Sequence, residues 1–149
     1  MSQREDIVRW AQAQIGKPYS AYRDCSGFTA AAFRQAGITI PEGSVAQWQQ
    51  GAPIDDDDVL PGDLLFWDTF GPAPGHVGIN IGGRVVHALN ESRGIVISDI
   101  GANMGGPYMG ARRILPVETT PEEKPGPKHQ SRPRRVRRLV REQRREDRA

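Results

Sequence analysis

A pair of glycines in the middle of the chain constrains the fold more than any other feature of the sequence. Gly82 and Gly83 separate two runs of alternating side chains, residues 76–81 and 84–89. This pattern is typical of a β-hairpin with a two-residue turn. A loop of that length pairs Ile81 with Arg84, and this pairing fixes the register of both strands. We therefore expect an antiparallel sheet built on this hairpin.

The register places two of the chain's three histidines on one face of the hairpin. Residue 78 then faces residue 87, so His76 and His87 become diagonal neighbours, about 7–8 Å apart at the backbone. Gly78, directly opposite His87, leaves space between the imidazoles. We expect both histidines on the less apolar side, because the other face carries residues that suit a buried core: Val77, Ile79, Ile81, Val86 and Ala88.

The only cysteine, Cys25, is predicted at the first turn of a helix. Asp24 stands at the N-cap position, apolar residues follow at helical spacing, and Gly37 ends the pattern. Free N–H groups and the helix dipole at this end favour a thiolate. Two interpretations stay open from these residues alone: an activated nucleophile, or a small buried core residue, which is the more common role of a free cysteine.

Together, Cys25, His76 and His87 supply the parts of a nucleophile, base and orienting group. In this interpretation His76 forms a thiolate–imidazolium pair with Cys25 and later protonates the leaving amine, while His87 fixes the tautomer of His76. The backbone N–H of Cys25 would be an oxyanion donor. Each histidine alone could equally be a structural or surface residue, and the three side chains could also ligate zinc.

Other segments predict the remaining elements. Ser2 to Glu5 and Ser44 to Gln47 each read as a capping box that opens a helix. The first helix carries Ile7, Trp10, Ala11 and Ile15 on one face and stops at residues 16–18. Strands are predicted at residues 64–67, 95–97 and 111–115, and the acidic run 55–58 is predicted to be a solvated loop rather than a metal site. Tyr19 and Tyr22 lie just before Cys25, where they could contact a ligand or cover the core edge.

Composition divides the chain at about residue 117. Residues 118–149 hold 11 of the 20 Lys and Arg residues but only 6 of the 18 Asp and Glu residues. This segment is too poor in apolar residues to form a core, so we predict one domain over 1–117 and a basic tail over 118–149, disordered or partly helical. An anionic polymer or a membrane surface is the partner we expect for the tail, with nucleic acid as the alternative. No membrane-spanning segment and no signal peptide are recognised.

The order of several short motifs closely resembles the NlpC/P60 superfamily of cell-wall cysteine peptidases. The resemblance covers about residues 5–115 and rests on these segments: Gly16-Lys17-Pro18-Tyr19, Asp24-Cys25-Ser26-Gly27-Phe28, Pro61-Gly62-Asp63-Leu64, Gly75-His76-Val77-Gly78-Ile79, Val86-His87-Ala88 and Ala111-Arg112-Arg113. It implies a papain-like α+β fold in which N-terminal helices pack on a small antiparallel sheet. It also implies hydrolysis of amide bonds in peptidoglycan stem peptides, commonly between D-glutamate and diaminopimelate or lysine.

By position, the resemblance assigns Cys25 as nucleophile, His76 as base and His87 as the third polar residue. Tyr19, Asp24 and Ser26 match positions that line the substrate pocket, where Asp24 would hold an amine of the stem peptide and Ser26 a carboxyl or carbonyl group. The chain departs from the family in the short connection between Tyr19 and Asp24. We therefore hypothesise that Tyr22 replaces an aromatic residue of the missing loop.

The resemblance implies no cofactor, and we expect a monomer. The expected setting is a peptidase made in the bacterial cytoplasm that acts at the cell wall after phage lysis or as part of a virion; a secreted effector is an alternative. A second class stays open: a wall-binding or structural module that keeps the fold without turnover.

Overall fold

A computed structural model describes residues 2–114 of the chain. The predicted tail and the last residues of the predicted domain, 115–117, lie outside the described residues. The elements in chain order are α1 (Gln3–Ala13), a 3-10 helix (Tyr19–Tyr22), α2 (Cys25–Gln35), α3 (Ser44–Gln50), β1 (Ala52–Ile54), a second 3-10 helix (Asp56–Asp58), β2 (Leu64–Trp67), β3 (His76–Asn80), β4 (Arg84–Asn90), β5 (Gly94–Asp99) and β6 (Tyr108–Arg113). No helix within residues 2–114 is long and apolar enough to cross a membrane.

The first helix begins as its sequence predicts. The hydroxyl of Ser2 accepts a hydrogen bond from the Glu5 N–H at 3.1 Å, and Glu5 Oε1 accepts one from the Ser2 N–H at 3.0 Å. Ile7 and Ala11 are fully buried beneath it. The helix ends at Ala13, however, so Ile15 lies beyond its apolar face and is 41% exposed.

The second helix carries the cysteine on its first turn. Oδ1 of Asp24 accepts a hydrogen bond from the Gly27 N–H at 2.8 Å, which confirms the predicted N-cap. Gly27 is required here because a Cβ atom at this position would lie 1.8 Å from the carbonyl oxygen of Tyr22. The close approach holds the 3-10 helix against the start of α2.

The third helix forms, but the capping box predicted for it is wrong. Its N-cap is Gly43, and the hydroxyl of Ser44 donates instead to the carbonyl oxygen of Pro74 at 2.5 Å. Gln47 is fully buried: it accepts a hydrogen bond from Thr29 and donates to the carbonyl oxygens of Ser26 and Pro41. Its amide connects α3 to α2, so it does not reach back to cap its own helix.

The described strands form one antiparallel sheet in the order β1-β6-β2-β3-β4-β5. The hairpin of β3 and β4 has the predicted register: Ile79 pairs with Val86, and the Ile81 N–H donates to the Arg84 carbonyl at 2.8 Å. The last strand, predicted at 111–115, begins earlier, at Tyr108. The α+β fold expected from the sequence is confirmed, with the helices packed on an antiparallel sheet.

The histidines lie on the predicted face of the hairpin, and both faces of the sheet are covered. One face packs against the helices, in a core that includes Phe28, Phe33 and Ile79. The other face carries the histidines and is covered by the connection between β5 and β6, chiefly by Ile100 and Met104. Because this connection folds back over the sheet, the less apolar face of the hairpin does not meet solvent.

A buried carboxylate joins the two ends of the domain. Asp63, which is fully buried just before β2, accepts hydrogen bonds from Arg4 of α1 at 3.2 Å and from Arg113 of β6 at 3.0 and 2.8 Å. The Leu60 N–H donates to its second oxygen at 2.8 Å. We call Arg4, Asp63 and Arg113 the Asp63 clamp.

Candidate active site

Cys25 lies where the start of α2 meets the start of β3. Its side chain is only 9% exposed, and the backbone N–H of Val77, the residue after His76, interacts with its sulfur. Burial raises the pKa of the Cys25 thiol, and the N–H groups of Val77 and Ser26 offset part of that rise. The thiolate expected from the helix terminus is therefore not the favoured form, because loss of water outweighs the helix end.

The two histidines meet as the hairpin register predicts. Nε2 of His76 and Nδ1 of His87 form a hydrogen bond at 2.8 Å, with the ring planes inclined by 74°. His87 is fully buried and His76 is 7% exposed. Gly78 makes this approach possible, because a Cβ atom there would lie 3.0 Å from the Cβ of His87.

Burial keeps both imidazoles neutral at pH 7. It lowers the pKa of His76 to about 4. It lowers the pKa of His87 to about 3, with a further contribution from the charge that His76 would carry. Only one of the two neutral rings can supply the proton in their shared hydrogen bond.

A residue that the sequence analysis missed completes this chain of hydrogen bonds. Nε2 of His87 lies 2.9 Å from the hydroxyl oxygen of Ser98, on β5. The predicted strand ended at residue 97, one position short of Ser98. Its partner could not be predicted because the turn between β4 and β5 gives no register comparable to that of Gly82-Gly83.

Tyr19 lies beside the cysteine, as the resemblance implied. Its hydroxyl interacts with the backbone N–H of Cys25. Burial, followed by the nearby charges of Cys25 and Asp24, raises the pKa of the Tyr19 phenol. The hydroxyl therefore stays protonated and can donate a hydrogen bond at the helix terminus.

Asp24 and Ser26 organise the first turn of the helix. Oδ1 of Asp24 accepts hydrogen bonds from the Gly27 N–H and from the Ser26 hydroxyl, the latter at 2.9 Å. Ser26 is 4% exposed, whereas Asp24 is half-buried. Within residues 2–114 the second oxygen of Asp24, Oδ2, has no hydrogen-bond partner, so it remains able to bind a substrate group.

Tyr22, for which we hypothesise a place in the substrate pocket, makes its contacts with the N-terminal part of the domain. Its ring packs against Trp10 and Phe28, with centroid distances of 5.2 and 6.0 Å. Its hydroxyl donates to Oε1 of Gln14 at 2.6 Å and accepts from the Lys17 ammonium at 3.3 Å. These contacts place Tyr22 between α1 and α2, as part of the packing of the two helices.

The possible metal ligands do not converge. Among the described residues, no group of three or more His, Cys, Asp or Glu side chains has an arrangement that could hold a metal ion. The zinc alternative for Cys25, His76 and His87 therefore has no support from the geometry. The sulfur of Cys25 instead meets the start of β3 through the N–H of Val77, which directly follows His76. The imidazole pair begins at His76, and the Tyr19 hydroxyl lies at the Cys25 N–H.

The chain is similar to several known proteins. The profile of the NlpC/P60 family matches residues 11–113. The chain is 36% identical over 110 residues to a probable endopeptidase p60 of Listeria seeligeri, an alignment that covers 69% of this chain but only 20% of that relative. The chain thus spans about a fifth of the length of such relatives.

Solved structures of the family share the fold. An NlpC/P60 family protein from Bacillus cereus superposes with a TM-score of 0.68 at 31% identity, covering 76% of this chain and 40% of that one. The peptidoglycan hydrolase RipB of Mycobacterium tuberculosis superposes with a TM-score of 0.65 at 26% identity, covering 76% and 65%. The motifs, the fold and the matched residues agree, and the chain belongs to the NlpC/P60 family.

Proposed function

We propose that this domain is a cysteine endopeptidase that hydrolyses amide bonds in peptidoglycan stem peptides. The observation that carries the proposal is the 2.8 Å hydrogen bond between His76 and His87 at the place where β3 meets Cys25. A thiol, a base and an orienting group are the parts that acyl transfer needs. The relatives named as probable endopeptidases and the peptidoglycan hydrolase RipB support the same substrate class.

In the first half of the reaction, Cys25 attacks the scissile carbonyl. Nε2 of His76 is occupied by His87, so Nδ1 is the nitrogen left to accept the thiol proton. The S–C bond forms as this proton moves, which avoids a separate thiolate that burial disfavours. The Cys25 N–H and the Tyr19 hydroxyl would donate to the oxyanion. The C–N bond then breaks, and His76 returns the proton to the leaving amine.

In the second half, water attacks the thioester. His76 accepts a proton from the water, the carboxylic acid product forms and the S–C bond breaks. The proton then returns to the sulfur of Cys25, so that the resting thiol and neutral imidazole are restored. No cofactor is needed for either half.

Within the stem peptide we propose the bond between D-glutamate and diaminopimelate or lysine. Asp24 supports this assignment, because Oδ2 of its half-buried carboxylate has no partner within residues 2–114 and can bind an amine of the peptide. Ser26 retains acceptor lone pairs for a second contact, although its own proton is used by Asp24.

The test is product analysis with purified protein. Wild type and Cys25→Ala are incubated with peptidoglycan and with soluble stem peptides, and the products are identified by mass spectrometry. We expect a new amine at one stem-peptide bond with wild type and none with the variant, whose folding is checked by its melting temperature. A folded, reduced wild-type protein that cleaves no wall substrate would overturn the proposal.

The same result would favour the second candidate, a wall-binding module without turnover. The burial of Cys25 and its raised thiol pKa are what an inert core cysteine would show. A small thiol-reactive probe separates the two candidates: labelling of the folded protein at Cys25 supports the peptidase, and absence of labelling supports the silent module.

We further propose that residues 118–149 attract the protein to anionic wall polymers, because of their excess of Lys and Arg. Retention on purified walls should fall with added salt and with deletion of 118–149; salt-sensitive retention that survives the deletion would contradict this.

Phage lysis or a virion is the setting we propose. Recovery of intact tagged protein from the supernatant of a non-lysing, holin-free host would exclude release by lysis.

A further inference from the structure

The hydrogen-bond chain that starts at His76 does not end at His87. It continues from Nε2 of His87 to the hydroxyl oxygen of Ser98 at 2.9 Å. Ser98 lies on β5, where it pairs with Val85, while His87 pairs with Val96. His87 is fully buried, whereas Ser98 is half-buried. The hydrogen bonds therefore run from a buried pair of rings to a partly exposed residue.

Two arrangements of protons fit these distances, and they differ in their chemistry. In the first, His76 Nε2–H donates to His87 Nδ1, and His87 Nε2–H donates to Ser98. In the second, the Ser98 hydroxyl donates to His87 Nε2, and His87 Nδ1–H donates to His76 Nε2. A neutral imidazole carries one ring proton, so the second arrangement places the proton of His76 on Nδ1. Only the first leaves Nδ1 able to accept the proton of Cys25.

The surroundings of Cys25 favour the first arrangement. The thiol sulfur already faces the backbone N–H groups of Val77 and Ser26, and sulfur is a weak acceptor. In the proposed mechanism Nδ1 of His76 faces this thiol, and a protonated Nδ1 would bring the sulfur one more donor. An unprotonated Nδ1 instead offers the S–H group an acceptor.

We propose that Ser98 is a positioning residue. Its hydroxyl oxygen accepts the last hydrogen bond of the series, from His87 Nε2–H, and thereby holds His87 in the Nε2–H tautomer. The inference rests on the proposed peptidase function. Within residues 2–114, Nε2 of His87 has no other hydrogen-bond partner. Without the Ser98 oxygen, an Nε2–H group would be buried unsatisfied, so the ring would move its proton to Nδ1. His76 would then carry its own proton on Nδ1 and could not act as a base.

Variants at Ser98 and at its neighbour test the proposal in the full chain. Ser98→Ala should lower kcat on a soluble stem peptide about tenfold with little change in KM, since it removes one buried hydrogen bond that acts through His76. Ser98→Thr and Ser98→Val form a matched pair, because both are β-branched and suit a strand but only threonine keeps the hydroxyl. Val96→Ala controls for packing, because Val96 is the strand partner of His87 and its side chain can make no hydrogen bond.

The decisive measurement is the tautomer of His87, from long-range proton–nitrogen correlation spectra of labelled protein. Wild type, Ser98→Thr and Val96→Ala should show a protonated Nε2, and Ser98→Ala and Ser98→Val a protonated Nδ1. A His87 that keeps the same tautomer in all five proteins overturns the proposal, as does equal kcat in the threonine and valine variants. The spectra need no turnover, so a wild type without peptidase activity would refute the proposed function while the tautomer still tests the role of Ser98.

Discussion

Acidification from pH 7 to pH 5 should destabilise the folded domain through its histidine pair. In the folded state burial holds the pKa of His76 at about 4 and that of His87 at about 3, so neither ring binds a proton at pH 5. The unfolded chain protonates histidine near pH 6.5. Because the unfolded state binds more protons in this range, stability is full above about pH 6.5 and falls as the pH drops towards about 4.

The size of the effect follows from the distance between pH 5 and the unfolded pKa. This difference is about 1.5 pH units, and each unit corresponds to roughly 1.36 kcal/mol, so one histidine lowers the free energy of unfolding by about 2 kcal/mol. At pH 5 both rings remain neutral in the folded state, so the pair should contribute about 4 kcal/mol. This is a large share of the roughly 5–15 kcal/mol that separates most folded domains from their unfolded chains.

Urea unfolding at the two pH values measures this loss. A double variant, His76→Asn with His87→Asn, serves as the reference, since it keeps polar side chains but cannot titrate. The wild type should lose about 4 kcal/mol more than the double variant between pH 7 and pH 5, and His87→Asn alone should lie halfway. The carboxyl groups and His129 are common to all the proteins, so their contributions cancel in the comparison.

Equal losses in the wild type and the double variant would refute the reasoning. That result would mean that the two histidines gain protons in the folded domain as easily as in water. The two rings would then be protonated at pH 5 in the folded domain, and burial would not be what keeps them neutral.

Three further predictions concern residues around the site and its support. Asp63→Ala should lower the free energy of unfolding by about 3–5 kcal/mol in urea titration, because it removes the shared partner of two arginines; a loss below about 1 kcal/mol would contradict the clamp. Gly78→Ala should lower kcat at least about tenfold, because the new Cβ would lie 2.5 Å from Val85 Cγ2 and 3.0 Å from His87 Cβ and would displace the ring; an unchanged kcat would show that the strands yield instead. Tyr22→Phe should cost about 1 kcal/mol of stability through its lost hydrogen bond and leave kcat/KM unchanged; a fall in kcat/KM would return Tyr22 to the substrate pocket.

The parts of the site that the sequence predicts are those fixed by local geometry. A two-residue turn leaves only one register for its strands, so the meeting of His76 and His87 follows from Gly82-Gly83. An aspartate before a helical pattern caps the helix through its own side chain, so the position of Cys25 follows from Asp24. Neither inference needs contacts that are distant in the chain.

The features that were missed depend on such distant contacts. Gln47 has the spacing of a capping box, yet its amide bonds to Ser26 and Thr29, about twenty residues away. The histidine face is covered by the connection after β5, and no alternation within the hairpin encodes that cover. Cys25 is buried in the core between the helices and the sheet, which the local helix pattern does not show, so the sequence predicted a thiolate where burial favours the thiol.

The Asp63 clamp also decides how short a working fragment of this protein can be. The region of family similarity begins at residue 11, but Arg4 of the clamp and the buried Ile7 lie before it. The part of the chain that folds as a unit therefore begins before residue 11, where the family similarity begins. At its carboxyl end it has to include Arg113. Since one buried carboxylate holds both guanidinium groups, the start of α1 and the end of β6 lie close together. A partner fused before Arg4 would thus lie close to the end of β6.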